Sequence, residues 1–368
     1  MPDSRLHEVD RLGQSVWIDY LSRDLLHSGG LARLVEEDAV TGVTSNPTIF
    51  QKAISQGSAY DDQLRDLIQH EDDPKEIFIA LAAREVGEAC DLLRSRWDEG
   101  KGLRGYVSME VDPGLAFDTA ATTAQAKQFH QLLDRPNLYV KIPATKAGLP
   151  SIEEMIARGK SINVTLIFSR ERHREVMEVY IRGLERLVEA GGDPRSVASV
   201  ASFFVSRVDT ETDKRLDALG RPELKGKLAV ANAKLAYQSW KEVFRGPRWD
   251  ALAARGATPQ WCLWASTSTK NPEYRDVLYV ESLIGPDTVN TMPEETIAAF
   301  QDHGRVALTL EEGLDEARQL LVELAVAGVD VDDVTRVLEE EGVQKFADSF
   351  DELLDGIRSK RGELVATR

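Results

Sequence analysis

The hydrophobic positions of this chain fall into two alternating patterns. Eight short, almost continuous apolar runs are typical of strands buried on both faces of a parallel sheet. Between them lie longer stretches in which apolar residues recur three and four positions apart, the spacing of an amphipathic helix. The predicted strands span residues 15–20, 42–46, 105–111, 137–143, 162–168, 197–205, 259–266 and 287–292. A chain that alternates strand and helix in this way builds a parallel sheet from successive β-α units.

Eight such units favour a closed (β/α)8 barrel over an open sheet. We expect one domain over residues 1–368, because no linker, repeat or change in composition divides the chain. Residues 47–104 are predicted to form a helical insertion between the second and third strands. Residues 313–361 are predicted to form extra C-terminal helices. We expect these to pack outside the barrel, with their charges in solvent and no part in a site.

Composition narrows the classes of function. The hydrophobic fraction of 42% and the charged fraction of 29% are those of a globular protein. A formal net charge of −17 disfavours nucleic acid as a partner, since phosphate backbones are bound by clustered Lys and Arg. No stretch reaches the ~20 apolar residues of a membrane helix. We therefore expect a soluble, cytoplasmic monomer or homodimer, with Cys90 and Cys262 as reduced packing residues.

Lys141 is the clearest exception to an apolar strand. It lies between Val140 and Ile142 near the end of the fourth run. Lysine is almost never fully buried unless it is paired. Taken alone, Lys141 is compatible with a salt bridge or with a side chain that reaches solvent. A second interpretation is an amine that attacks a carbonyl group, because desolvation favours a neutral nucleophile.

Other predicted strands also carry polar residues at or just beyond their ends. These residues are Asp19, Thr44, Asn46, Glu110, Asn163, Thr165, Ser202, Arg207 and Ser266. Each has a structural interpretation: Asn46 suits a turn, Asp19 a helix cap and Glu110 an ion pair with Lys141. Catalytic residues of barrel enzymes come from the C-terminal ends of several strands. Together these residues therefore predict an active site at that end of the barrel.

Several common chemistries have no support in the sequence. A nucleophile elbow, a dinucleotide-binding glycine motif and a phosphate-binding P-loop are all missing. The six histidines lack metal-ligand spacing. We expect neither a metal nor another cofactor.

Six segments, taken in order, resemble the transaldolase family over nearly the whole chain. They are GVTSNPTIF, VSMEVDP, NLYVKIPAT, INVTLIFS, SFFVSRVD and WASTSTKNPEYRDVLYVESLIGPDTVNTMP, the last being similar to the longer bacterial branch. The resemblance implies a TIM barrel of the class I aldolase type that uses no cofactor. It also implies transfer of a dihydroxyacetone unit between sugar phosphates.

The resemblance implies a role for each site residue. Lys141 would form the Schiff base, Asp19 would be the acid/base at the C4 hydroxyl, and Glu110 would act through a water held with Thr165. The residues implied in holding or lining the bound three-carbon fragment are Thr44, Asn46, Asn163 and Ser202.

The phosphate site departs from the family pattern. Arg207 matches one phosphate arginine, but the arginine expected two residues after Ser266 is absent. Our hypothesis is that Lys270 supplies the missing charge, since lysine binds phosphate as a point charge. Two alternatives stay open: a fructose 6-phosphate aldolase-like lyase, which an acidic Glu110 disfavours, and a barrel that binds a sugar phosphate without catalysis.

Overall fold

A closed barrel of eight parallel strands forms the centre of the protein. The computed structural model describes residues 4–45, 50–51, 53–54 and 57–366. The strands follow one another in chain order around the barrel, and β1 pairs with β8 to close it. They are β1 Gln14–Ile18, β2 Val40–Thr44, β3 Tyr106–Glu110, β4 Leu138–Pro143, β5 Ile162–Ile167, β6 Ser199–Phe204, β7 Trp261–Ala265 and β8 Thr288–Met292. The predicted barrel is thereby confirmed, and each predicted run contains most or all of one strand.

Helices surround the barrel and cover its ends. In chain order they are α1 Arg5–Arg11, α2 Arg23–His27, α3 Gly30–Glu37, α4 Asp61–Leu67, α5 Pro74–Leu92, α6 Arg94–Glu99, α7 Thr119–Leu133, α8 Gly148–Ala157, α9 Arg170–Glu189, α10 Ser206–Leu219, α11 Leu228–Val243, α12 Pro247–Ala253, α13 Leu278–Ser282, α14 Glu294–His303, α15 Leu314–Ala327 and α16 Val331–Ala366. Helices α4 to α6 lie in the predicted insertion, and α15 and α16 are the predicted C-terminal helices. Short 3₁₀ turns lie at Pro113–Leu115, Pro194–Ser196 and Pro222–Leu224.

Aromatic rings fill the interior of the barrel below its C-terminal end. The Trp17 and Tyr139 rings stack with centroids 6.0 Å apart, and the Tyr106 and Tyr139 rings stack at 3.9 Å. Gly42 makes room for this layer, because a Cβ there would lie 2.4 Å from the Trp17 ring. Side chains alternate along a strand, so residues two positions beyond these rings point into the same interior. The barrel therefore has an apolar floor beneath its polar mouth.

Strand β5 contains an irregularity directly after Val164. The pairing register with β6 shifts between Val164 and Ile167, and Leu166 has a φ of 59°. A bulky residue in the left-handed region is uncommon, and bulges occur often beside active sites, where they redirect a side chain. Val164 is the last residue of β5 that pairs with β6 before the irregularity, and Thr165 and Leu166 lie within it.

The final helix crosses the C-terminal end of the barrel. Near its start, Asp333 of α16 forms a 2.8 Å ion pair with Arg215 of α10. Near its end, Lys360 forms a 3.1 Å ion pair with Asp61 of α4. A helix of 36 residues is about 54 Å long, enough to span the mouth of a barrel.

The cysteines and the helices show two further features. Cys90 and Cys262 are buried and form no disulfide. Throughout the described ranges, every helix is too short or too polar to cross a membrane.

Candidate active site

Lys141 and Glu110 form a buried pair inside the mouth of the barrel. They lie opposite each other in the register of β3 and β4, and Lys141 Nζ donates to Glu110 Oε2 at 3.0 Å. Only 8% of the lysine side chain and 6% of the glutamate side chain are exposed. Burial raises the pKa of the Glu110 carboxyl, although the Lys141 ammonium opposes the shift. The site therefore holds an amine and a carboxyl group that can exchange a proton directly.

Asp19 lies directly after β1 and is held by a chain of hydroxyl groups. Thr44 Oγ1 donates to Asp19 Oδ1 at 2.6 Å, and Thr44 Oγ1 lies 2.9 Å from Thr291 Oγ1 of β8. A hydroxyl has one proton to donate, so the Thr291 hydroxyl donates to Thr44. Helix α2 is capped by Ser22, whose side chain accepts from the Leu25 N–H. The interpretation of Asp19 as a helix cap is therefore wrong.

Asn163 connects three strands across the barrel interior. Its Nδ2 donates to Ser108 Oγ at 3.1 Å, and its Oδ1 accepts from Ser202 Oγ at 2.7 Å. Both contacts fix the orientation of the amide, which keeps one N–H available. Thr165, two residues further along β5, has a buried Oγ1 without a hydrogen-bond partner in the described part of the chain. Buried hydroxyl groups nearly always have a partner, so this oxygen is suited to bind a substrate or water.

Arg207, at the start of α10, brings positive charge to the mouth. Its guanidinium lies 5.2 Å from the centroid of the Phe204 ring and 5.9 Å from that of Phe346. Burial lowers the pKa of Arg207, with Asp19 and Glu341 acting in the opposite direction. A guanidinium keeps its charge in proteins, so Arg207 is suited to bind an anion.

Ser266 and Lys270 lie on the loop after β7. Ser266 has a φ of 57°, and its Oγ lies 3.0 Å from Ser206 Oγ. Lys270 is exposed, and its Nζ donates to Ser268 Oγ at 2.6 Å. It borders a cavity of about 260 Å³ whose lining includes Asp213 and two further aspartates. The structure does not bring Lys270 into contact with the pair formed by Lys141 and Glu110.

Asn46 lies outside the described residues. Among the residues that are described, His, Cys, Asp and Glu do not form any group of three or more that could hold a metal ion.

The final helix contributes to this mouth, contrary to our expectation that the C-terminal helices lie away from the site. The centroid of the Phe346 ring is 5.4 Å from Lys141 Nζ. The expectation failed because many exposed charges on α16 suggested a solvated helix, whereas its other face is apolar. Phe346 is partly exposed.

Known proteins and a protein-family model are similar to this chain over most of its length. A family model described as Transaldolase/Fructose-6-phosphate aldolase matches residues 16–357. The chain belongs to this family. A protein named transaldolase from Frankia alni is 52% identical over 361 residues, which are 97% of this chain and 97% of that protein. Proteins of the same name from Acidothermus cellulolyticus and a Parafrankia species are 52% and 51% identical, covering 97% and 98% of this chain and 99% of each relative.

The transaldolase resemblance inferred from the sequence is thereby confirmed, but three residues near the site were missed. Ser108 lies two residues before Glu110 on β3, so the alternation of side chains predicts that both point to the same side. Thr291 had no comparable signal, because its contact with Thr44 of β2 depends on how β8 closes the barrel against β1, the strand between them. Phe346 could not be found without the path of α16.

Proposed function

We propose that this chain transfers a dihydroxyacetone unit from a ketose phosphate to an aldose phosphate through an imine on Lys141. The donors would be sedoheptulose 7-phosphate or fructose 6-phosphate, and the acceptors glyceraldehyde 3-phosphate or erythrose 4-phosphate, as in the non-oxidative pentose phosphate pathway. The observation that carries the proposal is the buried contact of 3.0 Å between Lys141 Nζ and Glu110 Oε2. The family match and the transaldolase relatives support an enzyme of this type.

The first step is the formation of the imine. Lys141 gives a proton to Glu110, and the neutral amine adds to the C2 ketone of the donor. Because burial raises the pKa of Glu110, its carboxylate accepts a proton more readily than an exposed one. Loss of water from the adduct requires a proton donor, and protonated Glu110 can supply it through a water held with Thr165.

The second step is the cleavage of the bond between C3 and C4. Asp19 removes the proton of the C4 hydroxyl, the aldose leaves, and the iminium takes up the bonding electrons as an enamine. Thr44 and Thr291 would keep the Asp19 carboxylate oriented for this transfer. The enamine then attacks the aldehyde of the acceptor, Asp19 returns the proton, and water releases the new ketose.

The remaining residues would hold the substrate. Asn163 has a free N–H for a hydroxyl of the three-carbon fragment, and Ser202 fixes its amide. We propose that Asn46, Thr44 and Ser266 complete this lining. Arg207 would bind the phosphate. Lys270 as the second phosphate cation remains a hypothesis, and its exposed position beside aspartates gives it no added support.

A related lyase, which releases free dihydroxyacetone, is the second candidate because the family description includes fructose-6-phosphate aldolase. The acidic Glu110 beside Lys141 favours transfer, since the resembling aldolases carry an uncharged residue there. We also propose a cytoplasmic location, use of no cofactor, and a monomer or homodimer.

A coupled assay with fructose 6-phosphate and erythrose 4-phosphate tests the proposed activity. We expect glyceraldehyde 3-phosphate only when both sugars are present, and none from Lys141→Ala. Cleavage of fructose 6-phosphate alone, with free dihydroxyacetone accumulating, would identify a lyase. A folded wild type without turnover would contradict the proposal and leave a binding protein.

A further inference from the structure

One face of α16 lies against the mouth of the barrel. Gly342, Phe346 and Phe350 are four residues apart and therefore share this face. Gly342 allows close approach to β5, since a Cβ there would lie 3.2 Å from Leu166 Cδ2. The buried Phe350 packs edge to face on Phe78 of α5, with ring centroids 5.5 Å apart. Phe346 is thus held between two points of close packing.

Ion pairs fix the helix on both sides of Phe346. Glu339 lies 3.4 Å from Arg172 of α9, and Lys360 lies 3.1 Å from Asp61 of α4. Arg361 also pairs with Asp72. The position of the Phe346 ring over the mouth is therefore set by contacts to three separate parts of the fold.

Phe346 touches both ends of the proposed substrate site. Its ring centroid lies 5.4 Å from Lys141 Nζ and 5.9 Å from Arg207 Cζ. A sugar joined to Lys141 by its C2 and to Arg207 by its phosphate would extend alongside this ring. Its C3 follows C2 in the direction of the phosphate, so C3 would lie in the span that the ring borders.

We propose that Phe346 is a specificity-determining residue that limits access of water to C3 of the enamine on Lys141. This proposal rests on the imine chemistry of the proposed function. In transfer, C3 bonds to the aldehyde carbon of the acceptor, the aldehyde oxygen takes a proton, and water then releases the longer ketose. In the competing release, C3 takes a proton from water, the resulting hydroxide adds to C2, and the C–N bond breaks as the nitrogen takes up the remaining proton. That route frees dihydroxyacetone and restores the Lys141 amine.

The test measures the ratio of free dihydroxyacetone released to dihydroxyacetone transferred, with fructose 6-phosphate and erythrose 4-phosphate as substrates. Phe346→Ala is expected to raise this ratio about tenfold, because an apolar cover that excludes water is lost. Phe346→Leu keeps apolar bulk, and a smaller rise in the same direction is expected. The matched control is Leu353→Ala, a fully buried residue seven positions further along the same helix, where the ratio should stay at the wild-type value.

An unchanged ratio in folded Phe346→Ala or Phe346→Leu would overturn the proposal. An equal rise in Leu353→Ala would also overturn it, because looser packing of α16 would then explain the effect. Borohydride reduction in the presence of fructose 6-phosphate separates this failure from that of the proposed function. A wild type that traps no imine refutes the function itself, whereas a trapped imine with an unchanged ratio refutes only the role of Phe346.

Discussion

Replacing Glu110 with glutamine tests the proton transfer on which the mechanism depends. Glutamine keeps the size of the side chain and removes the titratable group 3.0 Å from Lys141 Nζ. That distance lies within the reach of a general acid or base, and such a group contributes typically 10²- to 10⁴-fold to a rate. We therefore expect kcat of Glu110→Gln to fall by about this factor, which corresponds to roughly 3 to 5 kcal/mol of barrier.

The pH profile of the same variant supplies a second readout. Burial raises the pKa of Glu110, so the wild type should lose activity as the pH falls through that raised value. The loss follows because protonated Glu110 no longer accepts a proton from Lys141. Glu110→Gln should lack this acidic limb. Initial rates in the coupled assay between about pH 5 and 9 measure both effects.

Glu85→Gln is a matched control for the loss of a buried ion pair. Glu85 is fully buried and lies 2.7 Å from Arg23 Nη2, away from Lys141, and burial likewise raises its pKa. Breaking a buried pair costs about 3 to 5 kcal/mol of stability, so both variants should unfold more easily. Only Glu110→Gln should lose turnover at a temperature where both are folded. A kcat of Glu110→Gln close to that of the wild type would refute the role assigned to Glu110.

Four further substitutions test the fold and the phosphate site. Burial raises the pKa of Asp209 to about 7. The stability that its protonated carboxyl contributes is therefore complete below about pH 4 and lost as the pH rises to about 7. In urea unfolding, the free energy of unfolding of the wild type relative to Asp209→Asn should drop by roughly 4 kcal/mol over that range, and a constant difference would contradict this. Gly42→Ala places a Cβ 2.4 Å from the Trp17 ring and should lower the free energy of unfolding by about 1–3 kcal/mol. Thermal unfolding measures this effect, and an unchanged midpoint would show that the ring can move aside. Arg207→Ala should raise KM for fructose 6-phosphate by about tenfold or more, because a charged hydrogen bond contributes about 1.5–3 kcal/mol. If Lys270→Ala leaves that KM unchanged, Lys270 is not the second phosphate cation.

Much of the fold follows from local patterns in the sequence. Each apolar run was long enough for one buried strand, and the alternation with helices left few topologies other than a barrel. The pairing of Lys141 with Glu110 also follows from such patterns, because both residues lie at the ends of neighbouring parallel strands. What the patterns lacked was the register, which sets the distance between two side chains.

Other features depend on contacts between distant parts of the chain. Leu166 has a left-handed backbone although no glycine or asparagine marks the bulge. The contact between Thr291 and Thr44 joins residues 247 positions apart, across the seam that closes the barrel. Phe346 belongs to a helix whose exposed acidic and basic residues gave no sign of a buried face over the mouth. Tertiary packing decides all three, so local propensity could not predict them.

The most direct test of the central claim is to locate the covalent adduct on the chain. The enzyme would be incubated with fructose 6-phosphate, reduced with borohydride, digested and mapped by mass spectrometry. The account predicts one reduced three-carbon adduct on Lys141, and none in Lys141→Ala. An adduct on another lysine such as Lys146, or an active enzyme that traps no adduct, would contradict it.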